Sequence, residues 1–344
     1  MTEIENLKRR FENIKFLYVD DEPDNLASFR IYFDETFEVL TESDPLNALQ
    51  IVRQEKDLAV LVVDQVMPKM TGLALATSAK KLRPALSCLM ITGNATKQLA
   101  IDSIRSRVFY EFLEKPVDFS AKEIRQLLIS AVQEHLLERV KVEYRLGTIE
   151  LIGRLIDEKD GHTQRHSERV TEWAVKIARK LELSERDVVR LHEGALLHDI
   201  GKIGIPDDIL KKPGKLTDLE RKVIQTHTTR GGDLLWRVEP LKELASIARY
   251  HHERPDGKGY PEGLAADKIP IHASIVALAD FFEALSAKRP YKEPWSVPDI
   301  VAEVGRQRGT QFPEKVVDAF FSVLEEEGIL RHEELEKAKA SHAA

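Results

Sequence analysis

The stretches Phe16-Leu17-Tyr18-Val19-Asp20-Asp21 and Val60-Leu61-Val62-Val63-Asp64 decide the fold of the N-terminal part. Each is a four-residue apolar run that stops on carboxylates. Runs this short and this uniformly apolar suit strands buried on both faces of a parallel sheet. Cys88-Leu89-Met90-Ile91 repeats the pattern and stops on Thr92. Tyr110–Leu113 gives a fourth strand, followed by Lys115-Pro116, and a weaker one lies around Val39. The segments between are amphipathic: Leu26, Phe29 and Phe33 share one helix face, and Asp44-Pro45 reads as an N-cap followed by proline at the first helical position. Alternating strands and helices predict a doubly wound α/β domain with a five-stranded parallel sheet over residues 14–130, after an N-terminal extension, 1–13.

In such a fold the carboxyl ends of the strands gather functional groups. Asp20, Asp21 and Asp64 would converge there, and three carboxylates repel one another unless a hard cation such as Mg²⁺ neutralises them. Asp64 would then be a nucleophile toward an incoming phosphoryl group, with Thr92 and Lys115 bonding its oxygens. A single Asp at a strand end is ordinarily a solvated cap, but five suitable residues ending four strands are not explained that way.

The rest of the chain reads as helical. Residues 118–148 carry no strand signal and predict a long helix, with 131–148 as the linker between two domains. Beyond residue 149, Val170, Trp173, Ala174, Ile177 and Leu181 recur at helical spacing. Ser184-Glu185-Arg186-Asp187 and Thr217-Asp218-Leu219-Glu220 look like helix starts, and Pro/Gly clusters at 204–214 and 255–263 mark loops.

This half holds a second constellation. Of 11 histidines in the chain, several fall with aspartates in tight groups: His162 and His166, His198-Asp199, His227, His251-His252 and Asp280. Imidazole and carboxylate together suit borderline metals such as Fe, Mn, Zn, Co or Ni. The set suffices for two ions, with Asp199 able to bridge them. His192 and His272 read as ordinary surface or core residues, and His135 and His342 as solvated.

The net charge of −7 gives no basic surface for DNA. No apolar run approaches the ~20 residues that span a bilayer. The acidic start, Met1-Thr2-Glu3-Ile4-Glu5, is unlike a signal peptide. A cytoplasmic protein without membrane insertion is expected. The single cysteine, Cys88, sits in an apolar run and reads as a buried, inert thiol.

Two resemblances follow from these residues. Val19-Asp20-Asp21-Glu22-Pro23, the run from Asp64 to Gly72, Ile91-Thr92-Gly93 and Glu114-Lys115-Pro116 resemble response-regulator receiver domains. The resemblance implies that Asp64 accepts phosphate from a sensor histidine kinase, that Mg²⁺ binds at Asp20, Asp21 and Asp64, and that Thr92, Phe112 and Lys115 form the switch. His198-Asp199-Ile200-Gly201-Lys202 and the loop His251-His252-Glu253-Arg254-Pro255-Asp256-Gly257-Lys258-Gly259-Tyr260-Pro261 resemble the HD-GYP phosphohydrolases, over about residues 149–325. That resemblance implies an all-α HD-type bundle for 149–344 and hydrolysis of c-di-GMP to pGpG, in many members onward to GMP.

By the same resemblance, His166, His198, Asp199 and Asp280 hold one ion, and Asp199, His227, His251 and His252 the other. Iron or manganese is favoured, with His162 a candidate ligand to a third ion. Asp199 and Lys202 are the catalytic pair. Lys202, Tyr260, Arg289 and Lys292 contact substrate. Ser274, Lys288 and Gln311-Phe312-Pro313-Glu314 depart from the family pattern without removing a ligand of a two-metal site, which leaves substrate preference open. Expected partners are the kinase, c-di-GMP or a related nucleotide, a second copy of the chain, and candidate diguanylate cyclases. The rival expectations are a metal-loaded, nearly inactive sensor and a phosphohydrolase preferring pGpG or cyclic GMP-AMP.

Overall fold

The computed structural model describes residues 14–93, 108–161, 165–287, 293–330 and Glu333. The chain divides into two compact units, Met1–Tyr144 and Arg145–Ala344.

The first unit is built on β1 (Lys15–Val19), α1 (Pro23–Phe33), β2 (Glu38–Glu42), α2 (Pro45–Gln54), β3 (Leu58–Asp64), α3 (Gly72–Leu82), β4 (Ser87–Thr92) and β5 (Glu111–Glu114). The five strands are all parallel, in the order β2-β1-β3-β4-β5. Alternate side chains of a strand go to opposite faces, and the core divides accordingly. Phe16, Tyr18, Val60 and Val62 pack with Phe29 and Phe33 of α1. Leu17, Val19, Leu61 and Val63 pack with Ala48 and Val52 of α2 and Leu75, Ala76 and Ala79 of α3. Asp44 caps α2 by accepting from the Leu46 N–H at 2.9 Å. The last strand is Glu111–Glu114, one residue later than Tyr110–Leu113.

One helix, α4, runs from Lys122 to Asp160, 39 residues. The residues read as a linker, 131–148, are its middle, and it continues 12 residues past the expected end at 148. Its early turns belong to the first unit, where Leu128, Ala131 and Val132 complete the core beside α1. His135, expected in solvent, is buried there instead, its Nδ1 2.8 Å from the Ala85 carbonyl oxygen. It stands four residues after Ala131, hence on the same helix face.

The second unit is helical: α5 (His166–Lys180), α6 (Glu185–Leu196), a 3₁₀ turn (Ile200–Gly204), the short α7 (Asp207–Leu210), α8 (Asp218–Trp236), α9 (Ala245–Tyr250), α10 (Ile271–Ser286), α11 (Val297–Arg306) and α12 (Glu314–Glu326). Its core joins Val170, Ala174 and Ile177 of α5 to Ile275, Leu278 and Phe282 of α10 and Val316, Phe320 and Leu324 of α12. Thr217 and Glu220 form a reciprocal capping box at the start of α8. Ser184 caps α6 by accepting from the Asp187 N–H. Among the described residues no helix is long and apolar enough to cross a membrane.

Candidate metal centre and phosphoacceptor site

In the first unit, the ends of β1, β3, β4 and β5 bring the expected residues together. Asp20 and Asp64 are buried, and Thr92 closes β4. Lys115 Nζ lies 2.6 Å from Asp64 Oδ1 and 3.6 Å from Asp20 Oδ2. The Val66 N–H donates to Asp64 Oδ2 at 2.7 Å. Asp20 accepts from the Tyr18 hydroxyl at 2.6 Å, the Glu22 N–H at 2.9 Å and the Asn25 amide. Asp21 is exposed beside them. Phe112 is half-buried on β5, its ring centroid 5.5 Å from that of Phe109. This is an acidic pocket with one fixed cation, suited to a small hard cation and an incoming phosphoryl group.

In the second unit, the histidines form two groups. His166, His198 and Asp280 offer ligand atoms within 4.8 Å of one another, and so do His227, His251 and His252. Asp199 stands between them. Its Oδ2 is 3.3 Å from His198 Nε2, while its Oδ1 is 3.3 Å from His227 Nε2 and 3.8 Å from His251 Nε2. The elements that place them converge by close backbone packing. A Cβ on Gly201 would lie 1.8 Å from the His227 carbonyl oxygen, so only glycine lets the 3₁₀ turn after Asp199 rest on α8. A Cβ on Gly259 would lie 2.5 Å from the Arg254 nitrogen. The buried Glu253 carboxylate accepts the Glu262 and Leu264 N–H groups at 2.7 and 2.8 Å, fixing the loop behind His252. Tyr260, carried by that loop, stacks on His252 with centroids 4.8 Å apart.

The donor set fits divalent cations. His198, His227 and His251 each turn Nδ1 to a carbonyl about one helical turn earlier, at 2.7 Å (Ala195), 2.8 Å (Ile224) and 2.9 Å (Ala248). A neutral ring that donates from Nδ1 keeps its lone pair on Nε2, so His227 and His251 present acceptors to the centre. Burial opposes the charge of His198, but Asp199 raises it, and any proton on its Nε2 must leave before that ring can ligate. His227 and His251 then face each other Nε2 to Nε2 at 3.3 Å, and His198 Nε2 is buried without a hydrogen bond. Opposed lone pairs in a buried site are unfavourable unless a cation lies among them.

Charge reinforces this. Burial, joined by neighbouring imidazoles, holds His251 well below the usual histidine range and His252 down at about 4, and burial lowers His227. These rings are therefore neutral at pH 7. Burial pushes Asp199 upward, but Lys202 and His198 outweigh it and keep the carboxyl ionised. Burial likewise opposes His166, yet Asp280 and Glu283 raise it to about 10. The proton facing Asp280 across 3.3 Å must leave before His166 Nε2 can ligate.

Three partners escaped the sequence reading. Lys202 Nζ is held by Asp160 Oδ2 at 2.6 Å as well as by Asp199 Oδ2 at 2.7 Å. His166 Nδ1 bonds the buried Glu283, which Arg169 Nε grips at 2.9 Å. Arg169 and Glu283 each follow a predicted ligand by three residues, one helical turn, which is the only signal the sequence carries for them. Among the other expected residues, His162, Arg289, Lys292 and Lys288 lie outside the described residues, as does His342. His272 faces Asp187 at 3.3 Å, and neither it nor His192 joins a group of potential metal ligands among the described residues.

Comparison with known proteins matches both parts of the chain. Residues 16–128 match the response regulator receiver domain, and residues 150–316 match the HD domain. The cyclic di-GMP phosphodiesterase response regulator RpfG of Xanthomonas campestris pv. campestris is 33% identical over 332 residues, covering 89% of this chain and 86% of that protein. A cyclic di-GMP phosphodiesterase of Thermotoga maritima is 32% identical, covering 81% and 83%. The 3'3'-cGAMP-specific phosphodiesterase 3 of Vibrio cholerae is 43% identical over 150 residues, 44% of this chain and 33% of that protein. The chain belongs to the family of response regulators that join an N-terminal receiver domain to a C-terminal HD domain.

Proposed function

We propose that the protein is a metal-dependent phosphodiesterase for cyclic dinucleotides, c-di-GMP first among them, controlled by phosphorylation of Asp64. The observation that carries this reading is Asp199, which turns one oxygen to His198 and the other to His227 and His251. A carboxylate so placed suits two cations at once. His166, His198, Asp199 and Asp280 would hold one, and Asp199, His227, His251 and His252 the other. When bound, such a pair supplies Lewis acidity toward a phosphodiester and makes water a competent nucleophile at neutral pH.

The chain's own residues do the rest. Two carboxylates keep Lys202 protonated by outweighing the burial that opposes its charge. Its Nζ is thus a fixed positive charge beside the centre, aimed where negative charge grows on the phosphoryl oxygens. Tyr260 offers a ring face and a hydroxyl at the mouth of the site. Arg289 and Lys292 would hold substrate phosphate, and His162 would serve as a ligand only where a third ion joins the two. On the receiver, a histidine kinase supplies the phosphoryl group, Mg²⁺ at Asp20, Asp21 and Asp64 neutralises it, and Thr92, Phe112 and Lys115 respond.

The test is hydrolysis. Anaerobically purified chain loaded with Fe²⁺ or Mn²⁺ is incubated with c-di-GMP, and products are separated by chromatography. Appearance of pGpG or GMP is expected. Protein carrying two ions per chain that leaves c-di-GMP intact would refute the reading.

A further inference from the structure

Beside the candidate metal centre lies a cavity of about 370 Å³, lined by His252, Asp280 and Tyr260 together with Lys258, Gln225 and Gln311. The first three belong to the centre described above. Lys258 brings a charge, which attracts any phosphate regardless of the base attached to it. Tyr260 brings a ring face, and every base has a face to stack on it. The two carboxamides differ in kind, because each carries a donor and an acceptor side by side.

Both amides are half-buried at the cavity wall. Gln225 lies on α8, two residues before His227. Gln311 is set by a turn in which its N–H bonds the Gln307 carbonyl at 2.9 Å, while the adjacent Phe312 is buried against Phe281 with centroids 5.2 Å apart. The backbone at Gln311 is therefore anchored. Among the described residues, neither side-chain amide has a hydrogen-bond partner. An amide without one is free to present either its oxygen or its NH₂ to a ligand.

Resting on the phosphodiesterase reading above, we propose that Gln225 and Gln311 read the base edge of the bound nucleotide, and that their freedom to turn lets the site accept guanine or adenine. Guanine presents an acceptor, O6, beside donors at N1 and N2. Adenine presents a donor, N6, beside an acceptor at N1. A carboxamide matches either by turning over, whereas a carboxylate only accepts, so it pairs with both adjacent donors of guanine but with N6 alone of adenine, its second oxygen then facing the N1 lone pair. The site is a purine reader whose preference is set by these two side chains.

The metal-loaded full-length chain is assayed on c-di-GMP, 3'3'-cGAMP and c-di-AMP, with kcat and KM separated. The natural chain is expected to have kcat/KM values on the three within about tenfold of one another. Gln311→Glu or Gln225→Glu is expected to shift the c-di-GMP to c-di-AMP ratio toward guanine by about tenfold, mainly through KM. Gln311→Leu should weaken both substrates alike. A ratio that moves by less than about threefold in both glutamate variants overturns the inference, as does a natural chain that prefers one purine by more than about a hundredfold. Those outcomes leave the phosphodiesterase reading standing. Failure of the loaded natural chain on all three substrates sinks that reading and this inference together.

Discussion

Asp160, the last residue of α4, lies 2.6 Å from Lys202 Nζ, and Asp199 holds the same ammonium at 2.7 Å from the other side. Lys202 is thus pinned between a residue of the long helix and the carboxylate at the heart of the histidine cluster. Removing the charge of Asp160 should let the ammonium collapse onto Asp199. Asp160→Asn is expected to lower kcat about 10- to 100-fold with KM little changed, because the interaction matters most as phosphoryl charge develops. Metal content by mass spectrometry should stay at the natural level. Loss of both ions in this variant would show instead that Asp160 supports the ligands.

Cation removal has a signature of its own. Buried neutral imidazoles with opposed lone pairs are held together at a cost that bound ions would offset. Ions at a hundredfold excess over Kd would add ~2.7 kcal/mol to stability. Chelation is therefore expected to lower the melting temperature of the second unit. Trp173 packs edge-on to Phe282 in that core, at 4.7 Å, and its emission follows the transition. In Asp199→Ala the natural chain's response to chelator should disappear. An unchanged melting curve on chelation of the natural chain would count against any resident ion.

Gly201 gives a prediction that rests on packing alone. A methyl group there would lie 1.8 Å from the His227 carbonyl oxygen and 2.6 Å from the Gly231 nitrogen, backbone atoms that cannot swing aside. Gly201→Ala is expected to cost about 3 kcal/mol, read as a lowered urea midpoint in Trp emission. Gly147, in the middle of α4, is the control. A Cβ there meets nothing within 4 Å, so Gly147→Ala should leave stability equal or raise it by up to ~1 kcal/mol.

These contrasts show what the sequence could reveal. The central strands were legible because burial on both sheet faces leaves an unbroken apolar run, as at Val60–Val63. The edge strand β5 was misplaced by one residue because Glu111 and Glu114 at its ends are exposed. Helix α4 runs past its expected end at 148 because a single glycine inside a helix, such as Gly147, costs only about 1 kcal/mol. The candidate metal ligands stood out because paired histidines have few other uses. Asp160, Glu283 and Arg169 did not, because an acidic or basic residue on a helix is usually a solvated one. Only the fold shows that Glu283 is buried against His166.

His135 sets a pH dependence in the first unit. Burial holds its imidazole below the usual range, and the nearby cations Arg139, Arg83 and Lys80 add to that against the bond to Ala85. The folded state therefore resists protonation, while the unfolded chain takes the proton near pH 6.5. The unfolded state binds more protons as pH falls, so the stability this group contributes is present above pH ~6.5 and is lost below it, toward the folded value. Hydrogen exchange of receiver peptides, compared at pH 7.5 and pH ~5.5, should show lowered protection at the acid end after correction for intrinsic rates. His135→Gln keeps a donor for Ala85 without titrating, and the pH difference should shrink in it. An equal difference in both proteins would assign the effect to other groups.

Asp64 is the last test, and it separates the chemistry from the regulation. The Val66 N–H occupies Oδ2 at 2.7 Å and Lys115 Nζ approaches Oδ1 at 2.6 Å, so both oxygens are held in place and Oδ1 already has a cation beside it. A small phosphodonor such as acetyl phosphate, with Mg²⁺, is expected to label the chain once. Asp64→Asn should abolish labelling, because an amide oxygen is too weak a nucleophile. Lys115→Ala should slow it and uncouple it from the hydrolase, since the ammonium both neutralises the phosphoryl oxygens and reports their arrival. Hydrolysis of c-di-GMP, measured before and after labelling, should change in the natural chain and stay constant in Asp64→Asn. Equal labelling of Asp64→Asn would move the phosphoacceptor elsewhere, whereas labelling at Asp64 with no change in hydrolysis would leave the receiver chemistry intact and break its link to the second unit.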